Sequence, residues 1–388
     1  MLKIAIITST RADWGLLSRP AVALQNREDV HLTVLATNMH LLPEHGHTID
    51  EIRRDGIRDI IPVDMNVQGD DDVSRARAMG LCLDAMACTL GQLRPDRVVI
   101  LGDRYEILAA ASAVAMLSIP IIHLHGGEIS EGAIDNAMRH AITKLASLHL
   151  VSTEDHRQRV IQMGEDPSCV INTGAIGVAN ALEVPLMSRD EITKSLGGFT
   201  LDPDHTFMVT YHPTTLDRGA SVEHRFAALL QALDRHPEYN IIITGANNDA
   251  GGKVIADMTA RWQARHPERV MSVQSLGMKR YLSTLRHITA VIGNSSSGII
   301  EVPSMGIPTV DIGSRQRGRT AADSIIHCGE AVDDIDRAIT IAISPETRRN
   351  ARLTDNPYYR PGTLHNIVEA IVNRCPTSTV KKFNDIKF

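Results

Sequence analysis

Residues 101–140 read LGDRYEILAAASAVAMLSIPIIHLHGGEISEGAIDNAMRH. An apolar run ends in Gly102-Asp103-Arg104, an alanine-rich helix-like stretch follows, and a second apolar run over 119–124 leads to Gly126-Gly127. A polar loop then opens into a helix expected over 133–145. Short apolar runs that alternate with helix-period segments are the pattern of parallel strands joined by crossover helices. In an open parallel sheet the ligand crevice lies beyond the carboxyl ends of the strands. Asp103, Arg104, His123, His125, Glu128 and Asp135 are therefore expected to converge on one cleft. Carboxylates and imidazoles at adjacent strand ends suit proton transfer, because neighbouring like charges in a partly dry cleft separate acid from base. The competing reading is a set of solvated caps and loop polars.

The same alternation extends in both directions. Strands are expected over 3–8, 31–36, 97–101, 120–124, 148–152 and 170–173, with helices over 16–25, 73–92, 105–117, 133–145 and 154–163. Residues 43–72 read as a polar segment without a regular element. The regularity lapses over 181–204 into a short helix and then Gly197-Gly198, taken as a linker, and restarts with strands over 207–211, 240–244, 270–274, 290–292 and 309–312. A last helix over 364–373 follows Pro357 and Pro361. The expected fold class is α/β, with two doubly wound Rossmann-like domains facing a central cleft. Their boundaries are read as 1–180 for the first, 181–365 for the second, and 366–388 for a helix and tail.

Composition narrows the function classes. Aromatic residues make up only 3% of the 388 while hydrophobic residues make up 43%, so the core must be aliphatic, as suits strands buried on both faces. A formal charge of -6 gives no electrostatic reason to expect nucleic acid or an anionic membrane as partner. The opening run MLKIAIITST is too short to span a bilayer and reads as a first strand. Five cysteines without a CxxC pair suggest reduced thiols and a cytoplasmic location rather than a disulfide framework or zinc site. No cluster has metal-ligand spacing and no GxGxxG is present, so neither a metal nor a nicotinamide cofactor is expected.

Anion recognition has several candidates. In the turn 8–15, TSTRADWG, Arg11 and the hydroxyls at a helix start suit an anionic ligand, although a plain helix cap would look the same. The stronger signal is VIGNSSSG at 291–298, where glycine permits close approach and Ser295 and Ser296 can cradle a phosphate. Glu301, a turn later, can accept both hydroxyls of a ribose, or serve in a cap. The loop GSRQRGR at 313–319 brings Arg315 nearby, and arginine forks suit phosphate oxygens. His212, in YHP after the second domain's first strand, is expected at the cleft. Together these residues suggest a nucleotide diphosphate held by the second domain, with its attached group directed toward the first.

Taken together, TSTRADWGLL, LGDRYE, HLHGGEISEGAIDNAMRHAITK, YHPTT, NNDAGG, IGNSSSGIIEVPSMGIPTV and GSRQRGR resemble the hydrolysing UDP-N-acetylglucosamine 2-epimerases, including a bacterial branch acting on 2,4-diacetamido sugars. The resemblance runs from about residue 3 to 370. It implies a glycosyltransferase-B-like fold with the last helix packing back across the domains. It also implies a two-stage reaction: loss of the nucleotide diphosphate and of the carbon 2 proton gives a glycal, which water converts to a free N-acetylmannosamine-type sugar for sialic or related nonulosonic acids. By position, Asp103 and Asp135 match catalytic carboxylates and His212 a histidine near the diphosphate. Arg11, Arg104, Asn247, Ser295, Ser296, Glu301 and Arg315 match nucleotide-binding positions.

One departure stands out. Many members carry a glutamate two residues after the strand histidine, where this chain has His125, and the loop before Asp135 is one residue longer here. Either His125 takes the acid-base role or Glu128 supplies the carboxylate. The departure also leaves open UDP- or GDP-N,N'-diacetylbacillosamine as substrate in place of UDP-N-acetylglucosamine. Rival readings are a non-hydrolysing epimerase, a glycosyltransferase of the same fold, and a non-catalytic nucleotide-sugar-binding protein. The expected partners are the UDP-sugar and one or three further copies of the chain, as a homodimer or homotetramer.

Overall fold

The computed structural model describes residues 1–388 apart from 44–45, 67–68, 70, 132–133, 214–219, 246–250 and 387–388. The chain divides into two compact units. The first comprises Met1–Glu128, Asp135–Ile176 and Arg360–Phe388, and the second Ile129–Ile134 and Gly177–Tyr359.

The first unit is built on strands β1 (Leu2–Thr8), β2 (Val30–Thr37), β3 (Ile60–Val63), β4 (Arg97–Leu101), β5 (Ile121–Leu124), β6 (Leu148–Val151) and β7 (Val170–Asn172). They pair in parallel in the order β3-β2-β1-β4-β5-β6-β7. Strand alternation sends Ile4 and Ile6 of β1 into one core with Trp14, Leu17 and Leu24, and Ala5 and Ile7 into another with Met86, Ile107 and Val114. Both faces are thus covered by helices, as the aliphatic composition requires. The strand order reverses between β1 and β4, which puts the turns after Thr8 and Leu101 side by side.

The second unit repeats the plan with β8 (Thr206–Thr210), β9 (Asn240–Thr244), β10 (Val270–Val273), β11 (Ala290–Gly293), β12 (Thr309–Ile312) and β13 (Ile325–Cys328), in parallel and in the order β10-β9-β8-β11-β12-β13. Its switch point lies between β8 and β11, so His212 and the turn after Gly293 are neighbours.

Four details differ from the sequence reading. The 43–72 segment contains the helix Ile49–Arg54 and the four-residue edge strand β3, whose Pro62 masks the strand pattern. The expected linker holds its short helix, Arg189–Ser195, as read, whereas β13 is an additional edge strand with one buried residue among its four. The first helix starts at Arg11 rather than 16, because Thr10 and Asp13 form a reciprocal capping box. Finally, the chain returns to the first unit at Arg360, and the helix Thr363–Asn373 places Ile367, Val368 and Ile371 in the same core as Leu17 and Leu24.

Candidate active site

In the first unit the carboxyl ends of β4 and β5 carry most of the candidate acid-base residues. β4 delivers Gly102, Asp103 and Arg104; β5 delivers His123, then His125 and the Gly126-Gly127 turn to Glu128. His123 is fully buried, and its Nε2 donates to the Gly102 carbonyl at 2.8 Å. Burial pushes this imidazole down to about 3, so it is a neutral strut under the Asp103 turn rather than a titrating group. His125 differs: its Nδ1 meets Glu128 Oε1 at 2.8 Å, both side chains being nearly buried.

Asp103 is held by Arg139. Its carboxylate, 22% exposed, pairs with a guanidinium that is only 3% exposed. Arg139 Nη1 also donates to the Glu128 carbonyl at 2.8 Å, so one side chain ties the β4 turn to the β5 loop. Arg139 sits on the helix Asp135–Leu145, one turn after Asp135.

Arg104, with its side chain 31% exposed, reaches a separate cluster around the buried Glu106 and Asn38. Its Nε donates to Glu106 Oε1 at 2.6 Å, an oxygen that also accepts from Asn38 Nδ2 at 2.8 Å. Burial opposes the Arg104 charge, yet Glu106, Asp13 and Asp135 hold its pKa above the ordinary range. Burial likewise disfavours the Glu106 carboxylate, but Arg104 and the surrounding hydrogen bonds keep it below the usual glutamate value. Burial raises the Asp13 carboxyl, against the pull of Arg104. Arg11, 46% exposed, pairs with Glu51 at 3.0 Å and shares no described contact with these groups.

The second unit assembles the anion-binding candidates around Asn294. Asn294 Nδ2 donates to the His212 carbonyl, and the His212 amide donates to Asn294 Oδ1 at 2.7 Å. The Asn294 carbonyl accepts from Arg315 Nη1 at 3.2 Å and from Gln316 Nε2 at 2.8 Å. Burial, with Arg315 adding to it, pushes the His212 imidazole down to about 3. Gly293 lies at φ 143°, and a Cβ there would come within 1.9 Å of the Thr210 carbonyl oxygen. Only glycine lets β11 lie this close to β8 before the turn. Ser295 precedes the helix Ser296–Ile300 without a side-chain capping bond, so its hydroxyl is not committed to a cap. Glu301 ends that helix, and its Oε1 lies where a Cβ on Gly177 would be, 1.9 Å away.

In the first unit Asp103, His125 and Glu128 come together, with Arg104 and Asp135 electrostatically coupled; in the second His212 and Arg315 meet around Asn294, with Ser295 and Ser296 next in the chain, while Glu301 faces Gly177 at the other end of the short helix. The loop Ile129–Ile134, between Glu128 and Asp135, belongs to the second unit, where Arg319 donates to Ser130 Oγ at 3.3 Å. Asn247 lies outside the described residues. The sequence reading missed Arg139 and Asn294, and also Ser152 and His156, whose side chains hydrogen-bond each other while Ser152 Oγ donates to Glu128. Arg139 was signalled by its spacing from Asp135 on one helix face, and Asn294 by its place inside the serine turn. Nothing local marked Ser152 or His156. Among the described residues no cluster of three or more His, Cys, Asp or Glu side chains is placed to hold a metal ion, and no helix is long and apolar enough to cross a membrane.

Comparison with known proteins bears on this arrangement. The chain is 36% identical over 349 residues to the GDP/UDP-N,N'-diacetylbacillosamine 2-epimerase (hydrolyzing) of Campylobacter jejuni, covering 90% of this chain and 89% of that protein. It is 34% identical over 389 residues to the polysialic acid biosynthesis protein P7 of Escherichia coli, covering 100% and 98%. Its fold matches the crystal structure of a UDP-GlcNAc 2-epimerase from Neisseria meningitidis bound to UDP-GlcNAc, with a TM-score of 0.80 at 18% identity over 96% of this chain and 100% of that one. The family model described as UDP-N-acetylglucosamine 2-epimerase matches residues 22–372. With its two doubly wound sheets, glycosyltransferase-B-like fold and carboxylate–imidazole cluster at the strand ends, the chain belongs to the UDP-N-acetylglucosamine 2-epimerase family.

Proposed function

We propose that this protein is a hydrolysing 2-epimerase that converts UDP-N-acetylglucosamine to UDP and free N-acetylmannosamine through a glycal. The observation that carries this reading is the joining of Asp103 and the His125–Glu128 pair through Arg139 at two adjacent strand ends. Epimerisation at carbon 2 needs a group that removes a proton and another that returns one to the opposite face. In this proposal the first unit supplies both, from His125, Glu128, Asp103 and Asp135. The electron pair of the carbon 2 C–H bond becomes the glycal double bond as the anomeric C–O bond breaks and its pair leaves with the diphosphate. Water then adds its hydroxyl to carbon 1 while a proton returns to carbon 2.

The second unit's Ser295, Ser296 and Arg315 would take the diphosphate, with His212 beside it, and Glu301 the ribose; Arg11, Arg104 and Asn247 complete the nucleotide contacts. Guanidiniums and turn amides offset the charge developing on the leaving group. A second reading, the same reaction on UDP- or GDP-N,N'-diacetylbacillosamine, is favoured by the Campylobacter relative of that name.

Proton NMR of the purified protein with each sugar nucleotide in deuterated water, without added metal or nicotinamide, tests both. Free N-acetylmannosamine carrying deuterium at carbon 2, together with UDP, is the expected outcome. Turnover of the 2,4-diacetamido nucleotide alone selects the second reading, and return of an epimerised UDP-sugar without free sugar refutes hydrolysis.

A further inference from the structure

Behind His125 runs a buried chain of hydrogen bonds whose direction is fixed by proton counting. Glu128 Oε1 accepts from Ser152 Oγ at 3.0 Å as well as facing His125 Nδ1 at 2.8 Å. Ser152 has one proton, and spending it on the carboxylate leaves its oxygen to accept from His156 Nδ1, also at 3.0 Å. The chain thus runs from His156 Nδ1–H through Ser152 to Glu128, which His125 Nδ1–H meets from the other side. With its proton on Nδ1, a neutral His125 carries a lone pair on Nε2. That atom is buried and has no hydrogen-bond partner among the described residues.

The backbone is arranged around the same ring. His125 sits at φ 63°, in the left-handed region that few residues other than glycine adopt. Such a conformation persists only where its surroundings over-determine it. The His125 amide donates to the Leu150 carbonyl on β6 at 3.0 Å, and Arg159 donates to the Gly127 carbonyl. Gly127, at φ 77°, packs so tightly that a Cβ would come within 2.5 Å of the His156 carbonyl oxygen. The helix Glu154–Gln162 therefore fixes the loop through its backbone and the imidazole through His156.

We infer that His125 Nε2 is the base that accepts the carbon 2 proton, and that Glu128, Ser152 and His156 are positioning residues that fix its tautomer and ring. This deepens the hydrolysing-epimerase reading and rests on it. Nε2 takes the proton, the C–H electron pair forms the C1=C2 bond, and the C1–O pair departs with the nucleotide diphosphate. Imidazole becomes imidazolium, with the Glu128 carboxylate beside it as counter-charge. Glu128 then acts through His125 and not on the sugar, and the return of a proton to carbon 2 falls to Asp103 or Asp135.

Two measurements on the full chain test this. Long-range proton–nitrogen NMR of histidine-labelled protein, with the His125 signals identified by their loss in His125→Gln, reads the tautomer directly. The Nδ1–H form is expected in the wild type, and loss of that single tautomer in Ser152→Ala and Glu128→Leu. An Nε2–H form in the wild type overturns the inference. Steady-state kinetics should show kcat lowered about tenfold in Ser152→Ala with KM within twofold of wild type. Ser152→Thr, which keeps the hydroxyl, should recover most of the rate. Unchanged kcat in a folded Ser152→Ala protein overturns the role of Ser152, and if that variant unfolds, Ser152→Thr and the tautomer decide. A wild type that turns over no sugar nucleotide defeats the hydrolysing reading, while the tautomer still reports on the chain itself.

Discussion

Replacing Lys381 by methionine should loosen the helix that carries Asp135 and Arg139, although Lys381 lies in the C-terminal segment. Its ammonium donates to Glu165 Oε2 at 2.7 Å and to the carbonyls of Lys144 and Ala146 at 2.8 and 2.7 Å. The two carbonyls lie at and just beyond the end of the helix Asp135–Leu145, where orphan acceptors and the helix dipole both favour a cation. Burial alone would raise the Glu165 carboxyl, but hydrogen bonds from His149, Lys144 and Lys381 outweigh it and hold the carboxyl at about 2. Against its reference of 4.5 this is worth about 3 kcal/mol at 1.36 kcal/mol per pH unit. Lys381 supplies one of the three bonds, hence about 1 kcal/mol, and its carbonyl contacts add about 1–2 kcal/mol.

The total of about 2–3 kcal/mol corresponds to roughly a 30- to 150-fold loss of amide protection in the helix, read by hydrogen exchange. The exchange readout suits a chain of two units, whose global unfolding need not be two-state. Because the folded carboxyl is depressed, its contribution is fully present above about pH 4.5 and is lost as pH falls toward 2. Less than half of it remains near pH 3. The Lys381→Met penalty should shrink accordingly at low pH. Protection within threefold of wild type at pH 7, or a penalty that does not change with pH, would refute the reasoning.

Three further outcomes follow from the site. Asp103→Asn should abolish turnover and leave UDP affinity within about threefold of wild type, while removing the charge partner of the buried Arg139 costs roughly 3 kcal/mol of stability. Turnover near wild type would remove Asp103 from the proton-transfer set. Arg315→Ala should weaken UDP binding by about 1.5–3 kcal/mol, seen by titration calorimetry as at least a tenfold rise in Kd. An unchanged Kd would place the diphosphate elsewhere. Gly293→Ala must separate β11 from β8 or strain the backbone, so it should lower stability by about 2–4 kcal/mol and reduce UDP binding with it. An alanine variant with the wild-type melting temperature would contradict the close approach described for Gly293.

How far the sequence reached can be judged at particular residues. Gly102-Asp103-Arg104 and Gly293-Asn294-Ser295 were visible because an apolar strand followed by glycine and small polar residues is a local signal, and parallel topology sends every strand's carboxyl end to the same edge of its sheet. Edge strands β3 and β13 escaped notice because they are only four residues long and Pro62 and His327 interrupt their apolar runs. The TSTRADWG turn could be read as either a cap or an anion site. Its Thr10–Asp13 capping box satisfies the cap reading, while Arg11, 46% exposed beside Glu51, keeps the nucleotide contact proposed for it.

Hydrophobic period and turn residues act over a few positions, and they determined the succession of βα units, the two sheets and the strand-end position of the candidate acid-base groups. The partners of those groups come from distant parts of the chain. Asp103 and Arg139 are 36 residues apart, Glu128 and Ser152 are 24, and Glu165 and Lys381 are 216. Whether His125 faces a carboxylate or water, and whether Lys381 is solvated or caps a helix, depends on which strands lie side by side and which helix crosses behind them. That order is set by burying both faces of each sheet at once, a condition on the whole unit, so it was the tertiary structure that decided those pairings.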